Sequence, residues 1–313
     1  MDNAKLAFVF PGQGSQKIGM LAELAGRYPQ ITATFAEASE VLGYDSWDLV
    51  QNGEQDAINL TERTQPILLA ASVAMWRVWQ AEGGATPALM AGHSLGEWTA
   101  LVCSGAVAFA DAVRLVRLRG AFMQEAVPFG QGAMAAILGV DDQVIRDICA
   151  SSAGGQVVSA VNYNAPGQVV IAGDAPAVER AIVALKEAGA KRAMPLPVSA
   201  PFHTALMRPA ADRLAEHICA TTFSVPRIPV VHNVHARTET DPKTIKTLMI
   251  EQIYQPVLWV ACMHTLVGSG IESVVECGPG KVLAGLVKRI DKALTAHTTD
   301  DLASLGKALA ECR

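Results

Sequence analysis

Apolar positions along the chain fall into two spacings. Short β-rich runs at 6–10 and 87–91 alternate with stretches near 17–27, 30–42, 66–82, 95–103 and 109–125 whose apolar residues recur every three or four positions. That alternation predicts an α/β fold with a mainly parallel sheet. From Gly132 the order becomes strand 133–138, helix 141–150, strands 157–162 and 168–172, helix 176–188 and strand 192–198. A βαββαβ run predicts a ferredoxin-like subdomain, taken as 128–197. It would be inserted into a core of 1–127 and 198–313, whose sheet resumes at 229–231 and 273–275.

Composition narrows the class. Half of the 313 residues are hydrophobic, enough for a sizeable buried core. The formal net charge of -5 gives no general reason to expect nucleic acid as a partner. The six cysteines form no CxxC pair and lie in or beside apolar, helix-like or core-like sequence, which reads as reduced thiols in a cytoplasmic protein. The start, Met1 to Lys5, runs straight into a strand, and the apolar run 66–75 falls short of the roughly 20 residues of a membrane span. No membrane association is expected.

Two glycine-bearing loops, Pro11-Gly12-Gln13-Gly14 and Gly92-His93-Ser94-Leu95-Gly96, each follow a strand and precede a helix. Ligands of open α/β sheets bind at such carboxyl ends. The second loop has the Gly-x-Ser-x-Gly form of a nucleophile elbow, in which the glycines let the chain turn sharply and expose the serine hydroxyl. Ser94 is the candidate nucleophile, and the N–H of Leu95 would face a developing oxyanion. An ordinary glycine-rich turn is the competing reading.

A serine needs a base. His93, next to Ser94 on a tight turn, points away, and His217 and His264 sit in helix-like stretches. His232 and His235 flank a strand end. His203, in Ala200-Pro201-Phe202-His203, stands at a loop exit where catalytic groups are commonly mounted, although a helix-capping role fits it too. In the usual hydrolase order of serine, acid, histidine, the late His297 would be favoured instead. His203 therefore implies a variant arrangement.

On the helix near 111–125, Arg119 falls in the same arc as Leu115, Val116, Leu118, Phe122 and Met123, whereas Arg114 and Arg117 fall outside it. A guanidinium on an apolar face demands a partner. A structural carboxylate and a bound acidic substrate both meet that demand.

Seven segments together resemble the malonyl-CoA:acyl-carrier-protein transacylases: Phe10-Pro11-Gly12-Gln13-Gly14-Ser15-Gln16, Thr64-Gln65-Pro66, Gly92 to Glu97, Arg119-Gly120, Asn162 to Gln168, Ala200 to His203, and Gly278-Pro279-Gly280-Lys281. They follow the family's order over nearly the whole chain, with Trp98 and Ala165 as small departures. The resemblance implies an α/β-hydrolase-like core with a ferredoxin-like insertion. It implies Ser94 as nucleophile, His203 as base, Arg119 as clamp for the malonyl carboxylate, and the N–H groups of Gln13 and Leu95 as oxyanion hole. The backbone carbonyl of Gln252 would hold the histidine, so no triad carboxylate is required. Gln65 and Asn162 would line the substrate pocket, and Phe202 would disfavour an α-methyl group.

The activity so implied is ping-pong transfer of malonyl from coenzyme A to the phosphopantetheine thiol of acyl carrier protein, supplying extender units for fatty acid biosynthesis. Malonyl-CoA and acyl carrier protein are then the partners, no cofactor or metal is needed, and a monomer is expected. Lys191, Arg192, Lys281 and Arg289 are candidates for a basic rim facing an acidic carrier. A serine thioesterase and a non-catalytic scaffold that binds carrier protein are the rivals. A nucleotide site at Gly12-Gln13-Gly14 has neither GxGxxG nor a P-loop lysine to support it.

Overall fold

The computed structural model describes residues 2–198 and 200–312; Met1, Ser199 and Arg313 lie outside it. Among the described residues, nine strands fall into two sheets. β1 (Asp2–Phe10), β2 (Thr86–Gly92), β7 (Val230–Val231), β8 (Ser273–Glu276) and β9 (Thr295–Thr298) form one sheet in the order β7-β2-β1-β8-β9. Every pairing in it is parallel. β3 (Gly132–Leu138), β4 (Val158–Ala165), β5 (Gln168–Asp174) and β6 (Arg192–Pro195) form the other, in the order β4-β5-β3-β6, with every pairing antiparallel. The βαββαβ order expected between Gly132 and Val198 is present, with helices Asp142–Ser152 and Ala175–Glu187.

Alternate residues of β1 explain the layering. Leu6, Phe8 and Phe10 point to a core shared with the helix Thr61–Ala81, while Ala7 and Val9 point to a second core with Trp259, Leu266 and Val287. The parallel sheet is thus buried on both faces. In the antiparallel sheet, Ala135, Ile137 and Ile171 pack on its two helices, whereas Met134, Val161, Val170 and Ala172 on the other face meet Val198 and Phe202. A backbone stitch ties β4 to the segment before the helix Trp259–Gly268: Val257 N–H donates to the Val161 carbonyl at 2.8 Å, and Tyr163 N–H donates to the Val257 carbonyl at 3.0 Å.

Several boundaries differ from the sequence reading. The helix expected at 17–27 shrinks to Ala22–Ala25, because Gly19 and Leu21 before it take left-handed φ of 77° and 62°. The helix expected from Pro66 starts at Thr61 and carries the proline inside it. Proline lacks the N–H that would reach back one turn, but burial of Thr64, Gln65 and Ile67 outweighs that lost bond. β6 stops at Pro195 rather than Val198, since this edge strand runs into two residues, Pro195 and Pro197, with no N–H to donate.

All six cysteines are free thiols, five of them buried and Cys219 exposed. Among the described residues, no helix is long and apolar enough to cross a membrane.

Candidate active site

β1 and β2 end side by side, with Phe10 opposite Gly92, so the two glycine loops leave the same carboxyl edge of the sheet. Ser94 caps the helix Leu95–Cys103 with φ 52° and ψ -105°, a strained conformation for a residue with a side chain. The flanking glycines permit it. A Cβ on Gly92 would lie 1.9 Å from the Gly96 carbonyl carbon, and one on Gly96 would lie 2.0 Å from the Phe10 carbonyl oxygen. Asn233 braces the turn from the end of β7: its Oδ1 accepts from Ser94 N–H at 2.8 Å, and its Nδ2 donates to the Gly92 carbonyl at 2.8 Å.

His203 meets the serine from a separate loop, also at a positive φ of 63°. Its Nε2 lies 2.8 Å from Ser94 Oγ, and its Nδ1 lies 2.8 Å from the backbone oxygen of Gln252. A carbonyl can only accept, so Nδ1 carries the proton and Nε2 offers its lone pair to the serine hydroxyl. Burial, with the Arg119 guanidinium second, pulls the imidazole pKa down to about 3. The ring is therefore neutral and free to accept a proton. His297, the late alternative, sits in β9, three strand spacings or roughly 14 Å from β2, with Glu311 as its neighbour.

Arg119 lies on the buried face of the helix Phe109–Glu125, 2% exposed, while Arg114 and Arg117 face outward. Its partners are neutral. Nη1 donates to Gln65 Oε1 at 2.9 Å, and Nη2 donates to Gln252 Oε1 at 3.0 Å and to Ser94 Oγ at 3.2 Å. Nε is buried without a partner, and among the described residues no carboxylate pairs with this guanidinium. Burial lowers its pKa to about 10, with the Glu97 charge opposing, so it stays cationic at neutral pH. A buried cation with no carboxylate in direct contact, beside a serine hydroxyl, is suited to an anionic ligand.

Gly120, next to Arg119, sets how near this helix comes to its neighbour. A Cβ there would lie 2.5 Å from the Thr61 carbonyl oxygen, so the two helices touch backbone to side chain-free backbone. That contact brings Gln65 within reach of Arg119.

The cleft above Ser94 has a volume of about 140 Å³ and lies between the two sheets. Gln13, Gln65, Leu95, Arg119, Asn162, Phe202 and His203, all expected from the sequence, line it, and Met123, Met134, Leu196 and Val198 give it apolar walls. Asn162 reaches the cleft at a register shift in β4, and its Oδ1 is buried without a partner. Leu95 opens its helix, so its N–H has no intrahelical acceptor. His93 turns away from the serine hydroxyl, with Nε2 2.8 Å from Asn164 Oδ1 and its ring 5.5 Å from that of Trp259.

The sequence reading did not single out Asn233, His232 or Glu97 as parts of the site. Glu97, fully buried, accepts from His232 Nδ1 at 2.7 Å, from Asn233 N–H at 3.1 Å and from Gln252 Nε2 at 2.7 Å. Its sequence signal was an acidic residue in the first helical turn, which suggests a dipole effect and conceals this role. Of the basic rim candidates, Lys281 pairs with Asp300 and Asp301, and Arg289 donates to Gln168. Lys191 and Arg192 are exposed.

Comparison with known proteins places these features in a family. Residues 7–308 match the model of the acyl transferase domain. A malonyl CoA-acyl carrier protein transacylase of Salmonella typhimurium is 58% identical over 98% of this chain and 99% of the relative, and one of Escherichia coli is 57% identical over 97% and 99%. Among solved structures, malonyl-CoA:acyl carrier protein transacylase from Xanthomonas oryzae superposes with TM-score 0.98 at 54% identity, covering 99% of each chain. A malonyl-transacylase solved in complex with its type II polyketide acyl-carrier protein superposes at 0.97 and 55% identity, covering 98% of this chain and 99% of that one.

Proposed function

Because the chain belongs to the malonyl-CoA:acyl-carrier-protein transacylases within the acyl transferase family, we propose that it transfers malonyl from coenzyme A to the phosphopantetheine thiol of acyl carrier protein through a malonyl-Ser94 intermediate. The observation that carries this reading is the double engagement of one oxygen. Ser94 Oγ meets His203 Nε2 at 2.8 Å and the unpaired cation of Arg119 at 3.2 Å.

In the first half-reaction His203 Nε2 takes the serine proton as Oγ attacks the thioester carbonyl. The N–H groups of Gln13 and Leu95 receive the oxyanion. The carbon–sulfur bond breaks, the proton passes from His203 to the departing sulfur, and coenzyme A leaves. The Gln252 carbonyl holds the ring in the required tautomer throughout. Arg119, backed by Gln65, holds the malonyl carboxylate bidentately, while Asn162 and Phe202 border the acyl group. The carrier thiol then attacks malonyl-Ser94 in the reverse sense. Apolar walls of methionine, leucine and valine favour a thiol over water as acceptor.

We read the parallel sheet and its elbow as an α/β-hydrolase-like core of residues 1–127 and 198–313, with a ferredoxin-like subdomain at 128–197. The reaction so written uses no cofactor. A monomer working in the cytoplasm and supplying fatty acid biosynthesis completes the proposal. The test is the mass of intact protein after mixing with malonyl-CoA. One added malonyl group, absent in Ser94→Ala and removed by holo acyl carrier protein, is expected; an unmodified wild-type protein that still turns over would overturn the covalent route.

A further inference from the structure

The amide of Gln252 is held from both ends. Its Nε2 donates to Glu97 Oε2 at 2.7 Å and to the Ser94 carbonyl at 2.9 Å, and its Oε1 accepts from Arg119 Nη2 at 3.0 Å. A primary amide has one accepting end and one donating end. Rotating this one by half a turn would aim its NH2 at a guanidinium that can only donate, and its oxygen at two acceptors. Glu97 forbids that rotation. Its own two oxygens are fixed in turn, one by His232 Nδ1 and the other by Asn233 N–H, all within a fully buried cluster.

We propose that Glu97 is a positioning residue for the carboxylate clamp, acting through the side chain of Gln252 on the guanidinium of Arg119. This rests on Arg119 as the malonyl clamp. Gln252 then has two separate duties: its backbone oxygen orients the base, and its side chain, oriented by Glu97, orients the cation. Gln65 holds the other guanidinium nitrogen from the opposite helix. Glu97 touches no substrate; its influence falls on the acyl group that carries a charge.

The test compares malonyl-CoA and acetyl-CoA as donors to holo acyl carrier protein for wild type, Glu97→Gln, Gln252→Met and the double variant, with thermal unfolding of each. Glu97→Gln replaces one accepting oxygen by a donor, and Gln252→Met removes the amide while keeping the backbone carbonyl. Each single variant is expected to lower kcat/KM for malonyl-CoA about tenfold or more, chiefly through KM, the effect of one charge-assisted hydrogen bond. Acetyl transfer by Glu97→Gln is expected to change less than about threefold. The double variant should be no worse than the worse single, as for two members of one chain of contacts. Equal losses for both donors, additive losses, or an unaltered Glu97→Gln enzyme would overturn the proposal. Should Glu97→Gln fail to fold, Glu97→Asp, which keeps the charge but shortens the reach to Gln252, is compared with the two donors in its place. A wild type that does not favour malonyl over acetyl would instead refute the clamp itself, a distinct failure.

Discussion

Nδ1 of His203 is held at 2.8 Å by the backbone oxygen of Gln252, a partner that carries no charge. That carbonyl lacks the charge with which a carboxylate would oppose the burial and the Arg119 field that lower the imidazole pKa to about 3. The base is deprotonated above that value and is lost by protonation below it, so kcat/KM for acylation should hold well below the ordinary histidine value of 6.5 before falling. A malonyl carboxylate on Arg119 cancels part of the field, so the acid limb of kcat should lie at higher pH than that of kcat/KM. Stopped-flow acylation against pH reads both limbs; a kcat/KM limb at the ordinary value would refute this setting of the base.

Replacing Arg119 by alanine should cut malonyl transfer by about 10²-fold or more, the loss of two hydrogen bonds to a charged group, and leave acetyl transfer within a few fold. Lysine keeps the charge and loses the planar fork, so Arg119→Lys should fall between. Steady-state kinetics with the two thioesters measures this, and equal losses for both would refute the clamp.

The elbow glycines and a helix glycine should respond with opposite signs. Gly92→Ala and Gly96→Ala force a Cβ to within 1.9 and 2.0 Å of backbone atoms, so each should destabilise by about 4 kcal/mol or more, or prevent folding. Gly285, inside the helix Val282–Ile290, has nothing within 4 Å of a built Cβ. Gly285→Ala should stabilise by about 0.5–1 kcal/mol. Urea unfolding of the three variants gives the comparison.

Phe202 borders the cleft beside Met134 and Val198. Reducing it to alanine should raise the rate with methylmalonyl-CoA relative to malonyl-CoA by about tenfold, the scale on which a pocket senses one methyl group. An unchanged ratio in a competition assay would show that the selecting surface lies elsewhere.

Ser94, His203 and Arg119, which the fold brings together, each carry a local signal, namely a turn between two glycines, a loop exit and a charge on an apolar helix face, although that signal alone leaves a capping role for His203 and a structural carboxylate for Arg119 open. The parallel sheet and the βαββαβ run were legible from spacing alone. What stayed hidden depends on contacts between distant segments. Glu97 finds Asn233 and Gln252 across 136 and 155 residues, and no periodicity records such a meeting. The early start of the 61–81 helix was hidden for a related reason, since Pro66 argues locally for a stop that tertiary burial overrides. Leu21 in a left-handed conformation has no sequence signal at all.

The bare contact at Gly120 reaches further than packing. By letting one helix rest on the Thr61 carbonyl, it fixes how deeply the guanidinium sits relative to the serine oxygen. If Arg119 grips the acyl carboxylate as proposed, the gap between the helices sets the distance from that carboxylate to the carbonyl under attack. Under the proposed clamp, the length of acyl group accepted would depend on a residue that has no side chain.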